Sequence, residues 1–68
     1  MLNITDEQKE LLLEHLPDAE RWIDEDDINA VLEDLDAKIT EIGFDANYDL
    51  NAIGLKLQRL YDELYDQN

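Results

Sequence analysis

The side chains in this sequence that can do chemistry are overwhelmingly carboxylates. Nineteen Asp and Glu stand against five Lys and Arg and a single histidine, His15, for a formal net charge of −14. There is no cysteine and no serine, which excludes a thiolate metal site, a disulfide and the two commonest nucleophiles. Carboxylate pairs can serve as general acid and base when a pocket sets one apart from the other, but a bundle of this size offers surface rather than depth. His15 has a sufficient structural role at the end of a helix, where a cationic ring complements the negative pole of the dipole. The sequence therefore predicts no enzyme and no cofactor. Three uses of the acids remain: contact with a basic partner, cation binding, or solubility.

The acids are unevenly placed. Residues 1–36 hold thirteen carboxylates against Lys9 and Arg21, whereas residues 37–68 hold six against Lys38, Lys56 and Arg59. The run Asp24-Glu25-Asp26-Asp27 exceeds what capping a helix requires. With Asp18 and Glu20 it places six carboxylates within ten residues, and Glu33 and Asp34 follow. These eight are the candidate partner-binding surface. Direct binding to nucleic acid or to an anionic membrane is excluded, because neutralising phosphates requires cations the chain lacks. The expected partner is a basic protein, including one whose own nucleic-acid site the carboxylates would occupy.

Cation binding has one pattern behind it. Asp45, Asn47, Asp49 and Asn51 alternate as at the start of an EF-hand calcium loop, which the segment resembles. The sixth position is Leu50, where the sharp turn needs Gly, and the twelfth is Lys56, where a bidentate Glu belongs. The alternative is a turn made by Asp45 and Asn47, with Asp49 capping the last helix. No metal site is assigned. A third feature is aromatic: Tyr61 and Tyr65, with Tyr48 ahead of them, either cover the core with their hydroxyls in water or form a strip for a partner or a second copy of the chain. Monomer and homodimer both stay open, and a small assembly subunit associating through this end is the alternative to the acidic binding module.

In size, charge and helical character the chain is similar to acyl carrier proteins. That family carries its phosphopantetheine arm on a serine in an Asp-Ser-Leu setting at the start of its second helix, and this sequence has no serine. Acidic inhibitors that mimic the charge of DNA are a looser likeness, in composition alone.

The elements that must hold these residues are helices. Ile28, Val31, Leu32, Leu35, Ile39 and Ile42 recur at helical spacing up to Gly43, which is expected to close a central helix in a left-handed conformation. Ahead of it, Thr5 and Gln8 form a capping box with Asp6 and Glu7 in the first turn, and Pro17 ends the helix they begin. Pro17 can open a short turn ending in Trp22 and Ile23, with Trp22 at the edge of the core. Asp24 or Asp26 is expected to cap the central helix, and Lys38 to pair with Asp34. After the loop, Leu50, Ile53, Leu57, Leu60, Tyr61, Leu64 and Tyr65 define the last apolar stripe. Gly54 interrupts it at a cost of about 1 kcal/mol, which close approach to a neighbouring helix or to Trp22 would explain. The expected fold is a single all-α domain over 1–68. It is a compact three-helix bundle of about 5–15, 25–42 and 49–66 with a short extra turn at 17–23. Leu12, Leu13, Leu16, Trp22, Ile28, Val31, Leu32, Leu35, Ile39, Ile42, Phe44, Leu50, Ile53, Leu57, Leu60, Tyr61 and Leu64 are its expected core. No apolar run is long enough to span a membrane, and the first residues lack the basic, apolar and small-residue segments of a secretion signal. A cytoplasmic protein is expected.

Overall fold

Thr5 starts the first helix as its spacing to Gln8 requires. In the computed structural model, which describes residues 2–68, α1 spans Asp6–His15. The Thr5 hydroxyl oxygen accepts from the Gln8 amide at 3.1 Å, and the Gln8 side chain accepts from the Thr5 amide at 3.0 Å. Two of the orphan donors at the helix start, the Thr5 and Gln8 amides, are thereby satisfied. Pro17 ends α1, and Ala19 donates to the Leu16 carbonyl at 2.9 Å to open the short α2, Ala19–Asp24.

The central helix α3 spans Ile28–Ile42 and the last, α4, spans Ala52–Gln67. The all-α bundle of three long helices and one short one is thus present, with later starts than the apolar pattern predicts. The segment 25–27 is consumed in turning: Asp27 donates to the Trp22 carbonyl at 2.9 Å, and Asp26 adopts a left-handed φ of 56°. The cap of α3 therefore falls to Asp27, whose carboxylate accepts from the Ala30 amide at 3.1 Å, rather than to Asp24 or Asp26.

The start of α4 moves for a similar reason. Asp49 accepts from the Asp45 amide at 2.8 Å through its carbonyl, and donates its own amide to the Asp45 carboxylate at 3.1 Å. It is locked inside the loop and cannot cap. Asn51 does so instead, its Oδ1 accepting from the Gly54 amide at 2.8 Å while its Nδ2 donates to the Ile42 carbonyl at 2.8 Å. One side chain thus starts α4 and satisfies an orphan carbonyl at the end of α3.

Helices α3 and α4 form the spine and run in opposite directions, the end of α3 meeting the start of α4 at Gly43 and Gly54 and Asn29 and Leu32 sharing a groove with Tyr61 and Tyr65; α2 packs on α3, and α1 packs on α2 and α4. The spine is closed by two glycines. Gly54 lies so near Gly43 that a Cβ built on it would meet the Gly43 carbonyl oxygen at 2.2 Å. This supplies the neighbouring-helix contact expected of Gly54. Gly43 itself does not take the expected left-handed conformation: with φ −84° it continues the right-handed turn and donates to the Ile39 carbonyl at 2.8 Å. Its lack of a side chain serves the close approach rather than a reversed backbone.

Leu12, Ala19, Val31, Leu32, Leu35, Ile39, Leu57, Leu60 and Leu64 form the buried core, with Leu13, Leu16, Trp22, Ile28, Leu50 and Tyr61 packed half-buried around it. Each fully buried leucine contributes on the order of 1.5–3 kcal/mol of transfer free energy. Two expected core residues are exposed. Phe44 pairs its backbone with Leu50 in an isolated antiparallel bridge beyond the end of α3, and its side chain is left exposed there. Ile53 is displaced because Gly54, not Ile53, occupies the crossing with α3.

The first and last helices are clasped by amides. Gln8 is 9% exposed, and its Nε2 donates to Glu63 at 3.0 Å and to the Gln67 Oε1 at 2.8 Å. Its Oε1 accepts from the Thr5 amide and from Gln67 Nε2, both at 3.0 Å. These four bonds use the full hydrogen-bonding capacity of the side chain. Asn3 and Asn68 extend the clasp, the Asn3 amide donating to Asn68 Oδ1 at 3.0 Å.

Candidate functional site

The acidic surface is built on the shortest helix of the fold. With only six residues, α2 holds its place by burying Ala19 and by the half-buried Trp22 and Ile23, so its remaining positions face water. Asp18, Glu20, Asp24 and Glu25 are exposed along it, and Asp26 and Asp27 are exposed in the turn that follows. The exposed Glu33 continues the negative surface onto α3. Arg21 is the one cation of segment 17–27. It lies 3.8 Å from Glu25 at an exposed i,i+4 spacing worth little free energy, with its guanidinium 5.3 Å from the centroid of the Trp22 ring. A shallow groove runs along this element, lined by Pro17, Asp18, Glu20, Trp22 and Glu25 among others.

Asp34 belongs to a different environment from the other seven acids. It is half-buried and accepts a hydrogen bond from the Trp22 indole nitrogen. That bond satisfies the one polar group of a tryptophan packed at the core edge, so Asp34 anchors α2 to α3 rather than standing free for a partner. The expected ion pair between Lys38 and Asp34 is replaced by one with Glu41, at 3.9 Å. Asp26 also has structural work, its carboxylate accepting from the Leu2 amide at 3.1 Å.

The aromatic residues divide. Tyr61 is half-buried against the core, while Tyr65 is 65% exposed. Leu60 and Leu64, which an apolar strip at this end would need, are buried. The two tyrosines instead share an open groove with Asn29, Leu32, Glu33 and Asp36 of α3. Tyr61 and Tyr65 therefore meet part of the acidic surface, a juxtaposition the separate sequence patterns leave unstated. The exposed apolar side chains collect at the other end of the spine, as Phe44, Tyr48, Ile53 and Leu55 in and beside the α3–α4 loop.

In the calcium-like alternation two of the four side chains, Asp45 and Asn51, are engaged in holding the loop and the start of α4. Asp45 Oδ1 accepts from the amides of Asn47, at 2.8 Å, and Asp49, at 3.1 Å, while Asn51 caps α4. Tyr48 supplies the left-handed residue of the turn, with φ 63°. Among the described residues no group of three His, Cys, Asp or Glu side chains is placed to hold a metal ion. His15 ends α1 as expected. No described helix is long and apolar enough to cross a membrane.

Sequence reasoning missed Asn51 and Gln67 as structural residues. Asn51 carries a local signal, an Asx residue three positions before a glycine at the start of an apolar stripe. Gln67 carries none, because its partner Gln8 is 59 residues away. Compared with protein-family models, with curated proteins and with solved structures, the chain matches none.

Proposed function

We propose that this protein is a non-enzymatic binding module whose acidic surface, on α2 and the turn into α3, engages a basic patch on a protein partner. The observation that supports it is the exposure of Asp18, Glu20, Asp24, Glu25, Asp26 and Asp27 on one short helix and its exit, with Arg21 as the sole cation among them. Capping accounts for Asp27 and the bond to Leu2 for part of Asp26; the other four carboxylates make no contact that the fold depends on. A concentrated anionic surface raises the encounter rate with a cationic partner and rejects anionic ones. When the partner binds nucleic acid, the same carboxylates compete with phosphate for its cations.

Calorimetric titration with an octa-lysine peptide tests this. Binding is expected at low salt and should weaken at least tenfold as ionic strength rises from about 0.05 to about 0.5 M, over which the screening length falls to a few ångströms. The variant Asp18→Asn, Glu20→Gln, Asp24→Asn, Glu25→Gln should weaken it comparably at low salt. Binding that ignores both changes would refute the proposal. A second reading, self-association, is supported by the exposed Phe44, Tyr48 and Leu55 at the loop end, rather than by Tyr61 and Tyr65. Light scattering at low and moderate salt separates it: a dimer at both salts supports association, and a monomer removes it.

A further inference from the structure

The groove between α3 and α4 is where acids and aromatic rings face one another. Asn29, Leu32, Glu33 and Asp36 line one wall and Tyr61 and Tyr65 the other, around an open volume of about 350 Å³. Asn29 with Glu33, Leu32 with Asp36, and Tyr61 with Tyr65 are each four residues apart, so each pair projects from one face of its helix. Leu32 is the buried member; Tyr65, Glu33 and Asp36 reach solvent. Among the described residues the polar side-chain groups of Asn29, Glu33, Asp36, Tyr61 and Tyr65 have no hydrogen-bonding or ion-pairing partner. This differs from the neighbouring surfaces, where Asp34 holds Trp22 and Lys38 pairs with Glu41. No Lys or Arg lines the groove.

Two tyrosine rings beside two carboxylates suit a flat, weakly hydrated cation. A guanidinium can lie against a tyrosine face while its edge N–H groups donate to a carboxylate, whereas an ammonium is compact, strongly hydrated and brings charge with little stacking. We propose that this groove receives an arginine side chain of the basic partner, stacked on Tyr65 and hydrogen-bonded to Glu33 or Asp36. The assignment rests on the acidic-surface reading above and adds to it a residue-specific anchor: the α2 acids attract any cationic surface, and the groove selects arginine.

The test compares octa-lysine with the same peptide carrying one central arginine, so that charge and length are constant. On the unaltered protein at low salt the arginine peptide is expected to bind about threefold to fivefold more tightly, the range of an exposed cation–π contact. Tyr65→Leu keeps an apolar side chain at an exposed position and should abolish that preference while leaving octa-lysine affinity unchanged. The pair Glu33→Gln and Asp36→Asn should reduce the preference and also weaken octa-lysine, through the lost charge. If both peptides bind equally and Tyr65→Leu changes nothing, while neutralising the α2 acids weakens both, the arginine groove is overturned and the acidic surface stands. If neither peptide binds at low salt, the acidic-surface reading fails and the groove with it.

Discussion

Replacing Gly54 by alanine sets two effects of opposite sign against each other. Helix propensity alone favours the change by about 1 kcal/mol. The added Cβ, however, would lie 2.2 Å from the Gly43 carbonyl oxygen and 2.9 Å from its carbonyl carbon and Cα, all of them backbone atoms. Restoring ordinary contact distances requires the helices to separate by about 1 Å. The same carbonyl accepts from the Asn51 amide at 2.8 Å, and Asn51 Nδ2 donates to Ile42 at 2.8 Å, so separation stretches both bonds. Each is worth about 1 kcal/mol, and overpacking adds about 1–3 kcal/mol. The propensity gain is outweighed, leaving a net loss of about 2–4 kcal/mol, which for a domain of this size lowers Tm by about 8–32 °C. Thermal and urea unfolding followed by far-UV circular dichroism measure it. An alanine variant as stable as the unaltered protein, or more so, would show that propensity decides and that the helices do not cross at Gly43 and Gly54.

Three further outcomes follow from the same contacts. Gln8→Glu keeps a capping residue at the third helical position but places a carboxylate against Glu63 and the Gln67 oxygen in a nearly buried setting. The new carboxyl should bind its proton more tightly folded than unfolded, so the variant matches the parent at low pH and loses stability as pH rises through the ordinary Glu range. The loss should reach about 2–3 kcal/mol at neutral pH, measured by urea unfolding at several pH values. Asn51→Ala removes both the cap of α4 and the donor to Ile42, and should cost about 1–2 kcal/mol in the same assay. Added sodium chloride should raise Tm, because it screens the self-repulsion of a chain with net charge −14; a Tm that falls or stays flat with salt would count against a repulsive surface.

What the sequence made legible were features settled within a few turns of chain. The capping box at Thr5, the stop at Pro17, the apolar stripe of α3 and the close approach at Gly54 all depend on neighbours three or four residues apart, or on a residue type whose cost needs a reason. The misplaced helix starts have one cause. Asp24, Asp26 and Asp49 are competent caps, and composition does not reveal that residues 25–27 and 45–49 spend their hydrogen bonds on turns. Phe44 and Ile53 look like core because they are apolar and near the stripes; a backbone bridge to Leu50 exposes the one and a glycine crossing between two helices the other, and neither is contained in a stripe. The acidic surface was legible as charge, but Asp34 was not separable from Glu33 until Trp22 was placed beside it. The junction of Glu33 and Asp36 with Tyr61 and Tyr65 depends on how α3 and α4 lie together, which neither stripe contains.

The central claim concerns which face meets a basic partner, and residue-resolved NMR addresses it directly. Titrating octa-lysine into labelled protein at low salt should move the amides of residues 18–27 and of Glu33 first, with the shifts collapsing when salt is added. Shifts confined to the α3–α4 loop around Phe44 and Tyr48, or shifts that survive high salt, would contradict it.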